Sequence, residues 1–278
     1  MSLKSKLSEL SGVPESKIPA GYQTIGDIIL LKFLQKLSMR DKKKIGDSIL
    51  SLFPYIRIVC EQKGVKGELR QPKISILSFR DKKNRSIVTI HKEHGIQYKL
   101  DVSKIMFSKG NLNERQRIIR QITPDETVVD MFAGIGYFSL GIAKNSKAKK
   151  VYAIEKNRDA FKYLKENIRL NKAHKIQPIS GDCRRIKQNI KADRVMMGYF
   201  PGTQKYLPTA FKFLKKRGVI HYHNLYKEKD LWFKPLTELE AAAKKAGYGI
   251  SAIFGRKIVK SYAPRVYHVV IDAEFEKR

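Results

Sequence analysis

Gly134 and Gly136 stand in the spacing Asp-x-x-x-Gly-x-Gly, counted from Asp130. Glycines in such a turn let the backbone approach a bound ligand closely. Glu155 lies about 20 residues further on, where an acid at the end of a second strand can take both hydroxyls of a ribose. Asp182 follows a third apolar run and can accept the exocyclic amine of an adenine. The backbone of Cys183 lies beside it, unless Cys183 is simply a small core residue. Lys156 follows the ribose acid, and Phe132 and Ala133 in the glycine loop can wall the ligand. The third glycine of a dinucleotide fingerprint is missing, and no Lys-Ser or Lys-Thr follows, which excludes a P-loop. The plainer reading of the same acids is that they cap helices in an α/β core.

The frame for these residues is legible around them. Residues 127–129 are β-branched and apolar and read as a buried strand. Residues 137–143 read as the helix after the turn. Strand 150–154, helix 159–170 and a third strand over 176–183 follow. Residues 193–198 form the fourth strand, and Tyr199-Phe200-Pro201-Gly202 beyond it are the candidate lip of the site. Residues 206–214 read as a helix, with Lys215-Lys216-Arg217 near its end and Gly218 as its stop. Residues 218–224 are the fifth strand, 236–246 a helix ending at Gly247, and 252–259 with 267–275 an antiparallel edge pair. Alternating strands and helices imply a parallel sheet covered on both faces. Glycine loop, ribose acid and adenine acid in this order resemble the class I S-adenosylmethionine-dependent transferases. That likeness implies an α/β, Rossmann-like domain with a mostly parallel seven-stranded sheet.

The chain has 278 residues, enough for one large domain or two modest ones. Its formal net charge is +31, with Lys and Arg spread over the whole length. A basic excess of this kind argues for a body that faces a polyanion, nucleic acid first and an anionic membrane second. No basic amphipathic helix stands out. The bland reading is a lysine-rich proteome. Cys60 and Cys183 are the only cysteines and lack C-x-x-C spacing, so neither a zinc site nor a disulfide framework is indicated. No metal is expected, and a reducing cytoplasm is the simplest compartment. No apolar run approaches the roughly 20 residues of a membrane span, and the N-terminus lacks the apolar region of a secretory signal.

The N-terminal third is small, basic and α+β. Residues 1–20 read as a short helix and a loop, and residues 42–53 as a helix stopped by Pro54. Residues 55–59 alternate as a strand. Residues 73–79 and 86–91 read as a hairpin across the turn 80–85, and 95–102 as a further strand. The expected division is an N-terminal α+β domain over residues 1–95 and a cofactor-binding catalytic domain over 96–278.

From about Thr89 onward the chain resembles one family specifically. His91-Lys92-Glu93-His94-Gly95, Lys99-Leu100-Asp101-Val102-Ser103-Lys104, Phe107-Ser108, Glu114-Arg115-Gln116-Arg117 and Asp130-Met131-Phe132-Ala133-Gly134 carry the likeness. The family acts on guanosine 37 of tRNA. One branch consists of tRNA (guanine-37-N1) methyltransferases. The other serves wybutosine synthesis and transfers the 3-amino-3-carboxypropyl group of S-adenosylmethionine to a tricyclic guanosine derivative in phenylalanine tRNA. The methylating branch typically reads Phe-Ser-Pro-Arg where this chain has Phe107-Ser108-Lys109-Gly110, and Asn-Leu-Pro where it has Gly198-Tyr199-Phe200. Methylating guanine N1 means removing a proton and stabilising charge on O6, tasks for Arg and Asn side chains that glycine lacks. Met197-Gly198-Tyr199 and His221-Tyr222-His223-Asn224 look instead like the aminocarboxypropyl branch. The methyltransferase activity is the alternative.

The resemblance implies a site. S-adenosylmethionine is the group donor, and 5′-methylthioadenosine would leave when the γ-carbon reacts. Gly110 and Gly198 would make room for the altered pose, or only serve turns. Arg115 is the candidate partner of the methionine carboxylate, or else a phosphate contact or surface charge. Ser108 would donate to the same end of the cofactor, or cap the next helix. Glu114 is a candidate proton acceptor or one half of a helix-turn salt bridge. Gly198, Tyr199 and Phe200 would meet the substrate base, with a ring stacked on it. His221 and His223 share one strand face and Tyr222 the other; neither histidine is assigned to catalysis. The partner implied is tRNA, through the anticodon loop of tRNA(Phe), with no membrane and a monomeric enzyme.

Overall fold

The computed structural model describes residues 2–67, 69–81, 83–108 and 111–278, in two compact units, 1–107 and 108–278. Lys109 and Gly110 lie outside the described residues, so the reading of Gly110 does too.

In the first unit, α1 (Leu3–Ser11) leads to β1 (Tyr22–Ile25), β2 (Ile28–Leu31), α2 (Met39–Leu52), β3 (Ile58–Lys66) and β4 (Gln71–Phe79). These strands form a four-stranded sheet in that order, with β2 and β3 parallel and the other pairs antiparallel. Ser38 caps α2 by accepting the Asp41 N–H at 3.0 Å. Ile45 and Ile49 then fall on one face of α2 and enter a core with Leu7, Ile29, Val59 and Leu77.

Two expectations fail in this unit. The 73–79 segment does not pair with 86–91. It pairs with β3, whose apolar run Ile58-Val59-Cys60 is fully buried beside it. The 86–91 segment becomes β5 (Val88–Glu93), which pairs with β6 (Ile96–Asp101) across His94-Gly95. Both turn residues have positive φ, 48° and 76°. That is the two-residue geometry matching strand twist, and it outcompetes the longer polar segment 80–85. The unit boundary likewise falls at 107/108 and not at 95/96, a cut that would sever the β5–β6 hairpin. Thr89 and His91 of this hairpin bond the β1–β2 turn through Asp27 and the Gly26 N–H, and the Arg57 guanidinium donates to the Ser86 and Val88 carbonyls.

The second unit runs α3 (Leu112–Gln121), β7 (Thr127–Asp130), α4 (Ser139–Asn145), β8 (Lys150–Glu155), α5 (Arg158–Leu170), β9 (Ile176–Ser180), β10 (Ala192–Met197), α6 (Leu207–Phe213), β11 (Leu214–Lys227), α7 (Phe233–Ala246), β12 (Tyr248–Ala263) and β13 (Val266–Lys277). The sheet has seven strands in the order β12-β13-β11-β10-β7-β8-β9. Strands β11 through β9 are parallel, and β13 and β12 are antiparallel additions. This is the α/β class expected from the alternation of elements. The order reverses between β7 and β10, and ligands bind such sheets at the carboxyl ends of strands flanking a reversal.

Gly218 does not stop a helix. α6 ends at Phe213 and β11 starts at once, so Gly218 is a strand residue. A Cβ there would lie 2.6 Å from the Asp193 carbonyl oxygen. Lys215, Lys216 and Arg217 are accordingly on β11. No helix is long and apolar enough to cross a membrane among the described residues.

Candidate cofactor and substrate site

The glycine loop leaves β7 at Asp130, which is wholly buried. Its carboxylate accepts the Ser139 hydroxyl at 2.7 Å and the Phe132 N–H at 3.3 Å, tying the start of α4 to the loop. Burial pushes the Asp130 carboxyl up to about 6. Gly134 and Gly136 have φ of 57° and 99°. A Cβ on Gly136 would fall 2.7 Å from Leu140 Cγ, so glycine is needed there for both conformation and space.

Glu155 ends β8 against this loop. Its Oε2 accepts the Gly134 N–H at 2.7 Å and its Oε1 accepts the Asn157 N–H at 2.6 Å. Burial raises its carboxyl above the ordinary range, while the two N–H donors pull the other way. A carboxylate has about four lone-pair sites, so two remain for ribose hydroxyls. Asn157 caps α5 through the Asp159 N–H at 2.9 Å, which fixes where Glu155 leaves the strand. A fixed acid beside a glycine cradle fits the adenosine half of S-adenosylmethionine.

Asp182 follows β9. It accepts Arg184 Nη2 at 2.6 Å, Arg184 Nε at 3.0 Å and the Arg184 N–H, and Lys156 Nζ lies 3.9 Å away. The Arg184 bonds hold its carboxyl down at about 2. Asp182 is thus both a helix cap, as the plainer reading had it, and an ion-pair partner. The structure leaves Cys183 buried, and burial together with Asp182 pushes its thiol up to about 12, so it stays an unreactive thiol. The Arg184 guanidinium lies 4.8 Å over the Tyr206 ring. Tyr206 meets Phe132 edge-on at 4.9 Å, and Phe132 stacks on Tyr199 at 5.1 Å and 26°. Ala133 is buried and Phe132 half-buried in this group.

Ser108, Glu114 and Arg115 come together at the start of α3. The Arg115 guanidinium donates to the Ser108 carbonyl at 3.4 Å and is buried. Burial excludes the surface-charge reading of Arg115. Glu114 is buried in a bidentate pair with Arg117, at 2.7 and 2.8 Å, so the helix-turn salt bridge is the arrangement present. The Ser108 hydroxyl accepts from Lys260 Nζ at 2.9 Å rather than capping α3.

Gly198, Tyr199 and Phe200 follow β10 as expected, but they face different neighbours. A Cβ on Gly198 would lie 3.0 Å from the Phe138 ring. Tyr199 is half-exposed beside Phe132, whereas Phe200 is buried with its ring 4.1 Å from that of His268. Tyr199 is therefore the more open of the two rings, and Phe200 packs inward. The loop is held from β11: Asn224 Oδ1 accepts the Gly202 N–H at 3.2 Å and Asn224 Nδ2 donates to Gln204 at 2.9 Å. Tyr222, on the same face, donates to Glu238 at 2.5 Å.

The opposite face of β11 carries a buried polar chain that sequence reasoning did not find. His221 Nδ1 lies 2.6 Å from Asp272, and its Nε2 lies 2.8 Å from Arg194 Nη1. Arginine can only donate, so Nε2 accepts and Nδ1 carries the proton. His221 is neutral, in keeping with burial that lowers its pKa. Burial alone would raise the Asp272 carboxyl, but His221 and Arg117 overrule it and hold it far below the carboxylate range. Arg117 bridges Asp272 to Glu114, and Arg194 pairs with Glu126. The only sequence signal was two histidines at alternate strand positions.

Comparison with known proteins agrees with this geometry. The profile of the TRM5/TYW2 methyltransferase domain matches residues 89–251, and that of the TYW2 N-terminal domain matches residues 3–78. The chain is 45% identical over 259 residues to the tRNA(Phe) (4-demethylwyosine(37)-C(7)) aminocarboxypropyltransferase of Methanocaldococcus jannaschii, covering 92% of this chain and 98% of that protein. Identity to the tRNA (guanine(37)-N(1))-methyltransferase Trm5b of the same organism is 35%, over 96% of this chain and 74% of that one. The crystal structure of P. horikoshii TYW2 in complex with MeSAdo superposes with a TM-score of 0.85 at 36% identity, over 99% of this chain and all of that one. The M. jannaschii TYW2 structure in complex with AdoMet gives 0.75 at 41% identity, over 93% and 100%. The chain belongs to the TRM5/TYW2 family.

Proposed function

We infer that this chain transfers the 3-amino-3-carboxypropyl group of S-adenosylmethionine to carbon 7 of 4-demethylwyosine at position 37 of tRNA(Phe). The observation that carries the choice between branches is Gly198. A Cβ there would lie 3.0 Å from the Phe138 ring, so the Asn of the methylating branch would require that ring to give by a few tenths of an ångström, whereas glycine fits as it stands. The identity values of 45% and 35% support the same choice.

Bound S-adenosylmethionine supplies an electrophilic carbon next to a sulfonium, a good leaving group. Everything else is positioning. Glu155 takes the ribose hydroxyls beside the glycine loop, and Asp182 with the Cys183 backbone meets the adenine. Arg115 and Ser108 hold the methionine end, Arg115 by a guanidinium that matches a carboxylate. Tyr199 and the ring of Phe132 offer stacking surface to the extruded base. Lys156 lies beside Asp182 and complements charge there. Glu114 is locked to Arg117, so we assign no general base.

The first unit is proposed to contact the tRNA body, and the enzyme to act as a monomer in the cytoplasm, where Cys60 and Cys183 remain free thiols. One incubation tests the reading: the protein, labelled S-adenosylmethionine, and tRNA(Phe) with and without the tricyclic base. The expected products are an aminocarboxypropylated nucleoside and 5′-methylthioadenosine. A methylated nucleoside with S-adenosylhomocysteine would overturn it.

A further inference from the structure

The stretch Ala241–Ile271 holds six Lys or Arg residues and no Asp or Glu. Three of the six, Arg256, Lys257 and Lys260, are on β12, which is the edge strand of the seven-stranded sheet. Edge strands are commonly guarded by charge, since their outer backbone groups invite another strand. Guarding works with either sign, and this edge carries only one. It also leaves two aromatic rings open: Phe254 is 59% exposed and Tyr262 is 48% exposed. Open rings do not guard an edge. Cations interleaved with aromatic rings are what single-stranded nucleic acid requires, phosphates along a cationic track and bases on ring faces.

The far end of β12 also reaches the site. Lys260 Nζ donates to the Ser108 hydroxyl at 2.9 Å. The Tyr262 ring meets Phe200 edge-on at 6.2 Å, and Phe200 adjoins Tyr199 in the loop beyond β10. The cationic edge is thus continuous with the place where the target base is received. A nucleotide flanking that base must leave the site in some direction, and this edge offers it charge and a ring.

We propose that the outer edge of β12 is a second RNA-binding surface, where Arg256, Lys257 and Lys260 track phosphates and Tyr262 stacks a base neighbouring the modified one. The proposal rests on the tRNA reading above and adds where the flanking strand runs. An acidic protein partner would use the cations but would have no need of a stacked ring.

The test uses the full chain, tRNA(Phe) and fluorescence anisotropy across a salt series. Tyr262→Ala should weaken tRNA binding roughly tenfold, the loss of one stacked base, and Tyr262→Phe should restore most of it. The pair Arg256→Ala and Lys257→Ala should lower the slope of log affinity against log salt by about 1–2. Calorimetry should show S-adenosylmethionine affinity unchanged in every variant. Unaltered tRNA affinity and salt slope in all of them, with the unmutated chain binding normally, would overturn this surface alone. A methyl product from the unmutated chain would overturn the assigned reaction and leave the surface standing on its binding data. Equal weakening by Tyr262→Phe and Tyr262→Ala would remove stacking from the proposal and overturn it in this form.

Discussion

His223 Nδ1 lies 3.1 Å from His268 Nε2, deep between the glycine-loop helix and the loop beyond β10. The other His223 nitrogen, Nε2, is buried with no hydrogen-bond partner among the described residues; the Glu114 carboxylate is 3.8 Å away. Phe138 packs on one imidazole and Phe200 on the other. The pair therefore joins the start of α3, the glycine loop and the loop beyond β10 through two buried rings.

Burial depresses His223 to about 3, with neighbouring His221 adding to the effect. A buried histidine kept neutral binds fewer protons when folded than when unfolded, so its contribution to stability falls as pH drops below about 6.5. Asp130, raised to about 6, acts in the opposite sense between about 6 and its ordinary value. The comparison of wild type with His223→Gln isolates the histidine. The stability gap in favour of wild type should shrink by about 1.4 kcal/mol for each pH unit from 6.5 towards 3. Denaturant titrations at four pH values check this, and parallel curves would show that His223 does not titrate in this way.

Asn224→Ala should cost roughly 1–3 kcal/mol, because Gly202 N–H and Gln204 lose a buried partner. The loop carrying Tyr199 would then be held less firmly. Transfer should slow with tRNA affinity changed and S-adenosylmethionine affinity kept. If kcat and the KM for tRNA both stay at wild-type values, the loop does not depend on Asn224.

Gly198→Ala should cost about 1 kcal/mol, the low end for overpacking, because its Cβ would lie 3.0 Å from the Phe138 ring and that ring must give by a few tenths of an ångström. Phe138→Leu in the same chain should recover part of that loss, giving a coupling of about 0.5 kcal/mol in a double-mutant cycle. Strictly additive effects in urea unfolding would contradict the contact. Gly198→Asn should abolish most aminocarboxypropyl transfer while adenosine binding persists.

Glu155→Ala removes the acceptor of two main-chain N–H groups and the assigned ribose ligand. Hydrogen bonds to a charged group are worth about 1.5–3 kcal/mol, so S-adenosylmethionine affinity should fall about tenfold to a hundredfold. Calorimetry on the folded variant decides, and unchanged affinity would place the ribose acid elsewhere.

The glycine turn and the place of Glu155 against it were readable because a βα unit is written locally: a β-branched run, glycines that need positive φ, and an acid at the end of the next strand. The family likeness added the branch, through Gly198 and the 221–224 motif. What stayed hidden depends on pairing between distant segments. His268 and His223 are 45 positions apart and meet only because β13 lies antiparallel beside β11. Gly218 was misread because a glycine can stop a helix or admit a neighbouring strand closely, and local sequence does not distinguish them. The 73–79 and 86–91 segments both looked like hairpin arms, yet partner choice was decided by the His94-Gly95 turn and a buried run in β3. Phe200 and Tyr199 are adjacent and similar in type, and only packing separates the inward ring from the outward one.

β13 lies between β11 and β12, so the sheet closes only after the ribosome has delivered residues 266–277. The glycine loop and Glu155 are made long before, but Arg117 and His221 wait for Asp272. During that interval an open strand edge remains, with Arg117 paired to Glu114 alone and His221 lacking its carboxylate partner. Insertion of that one strand fills the gap between β11 and β12 and gives Arg117 and His221 their shared carboxylate in a single event.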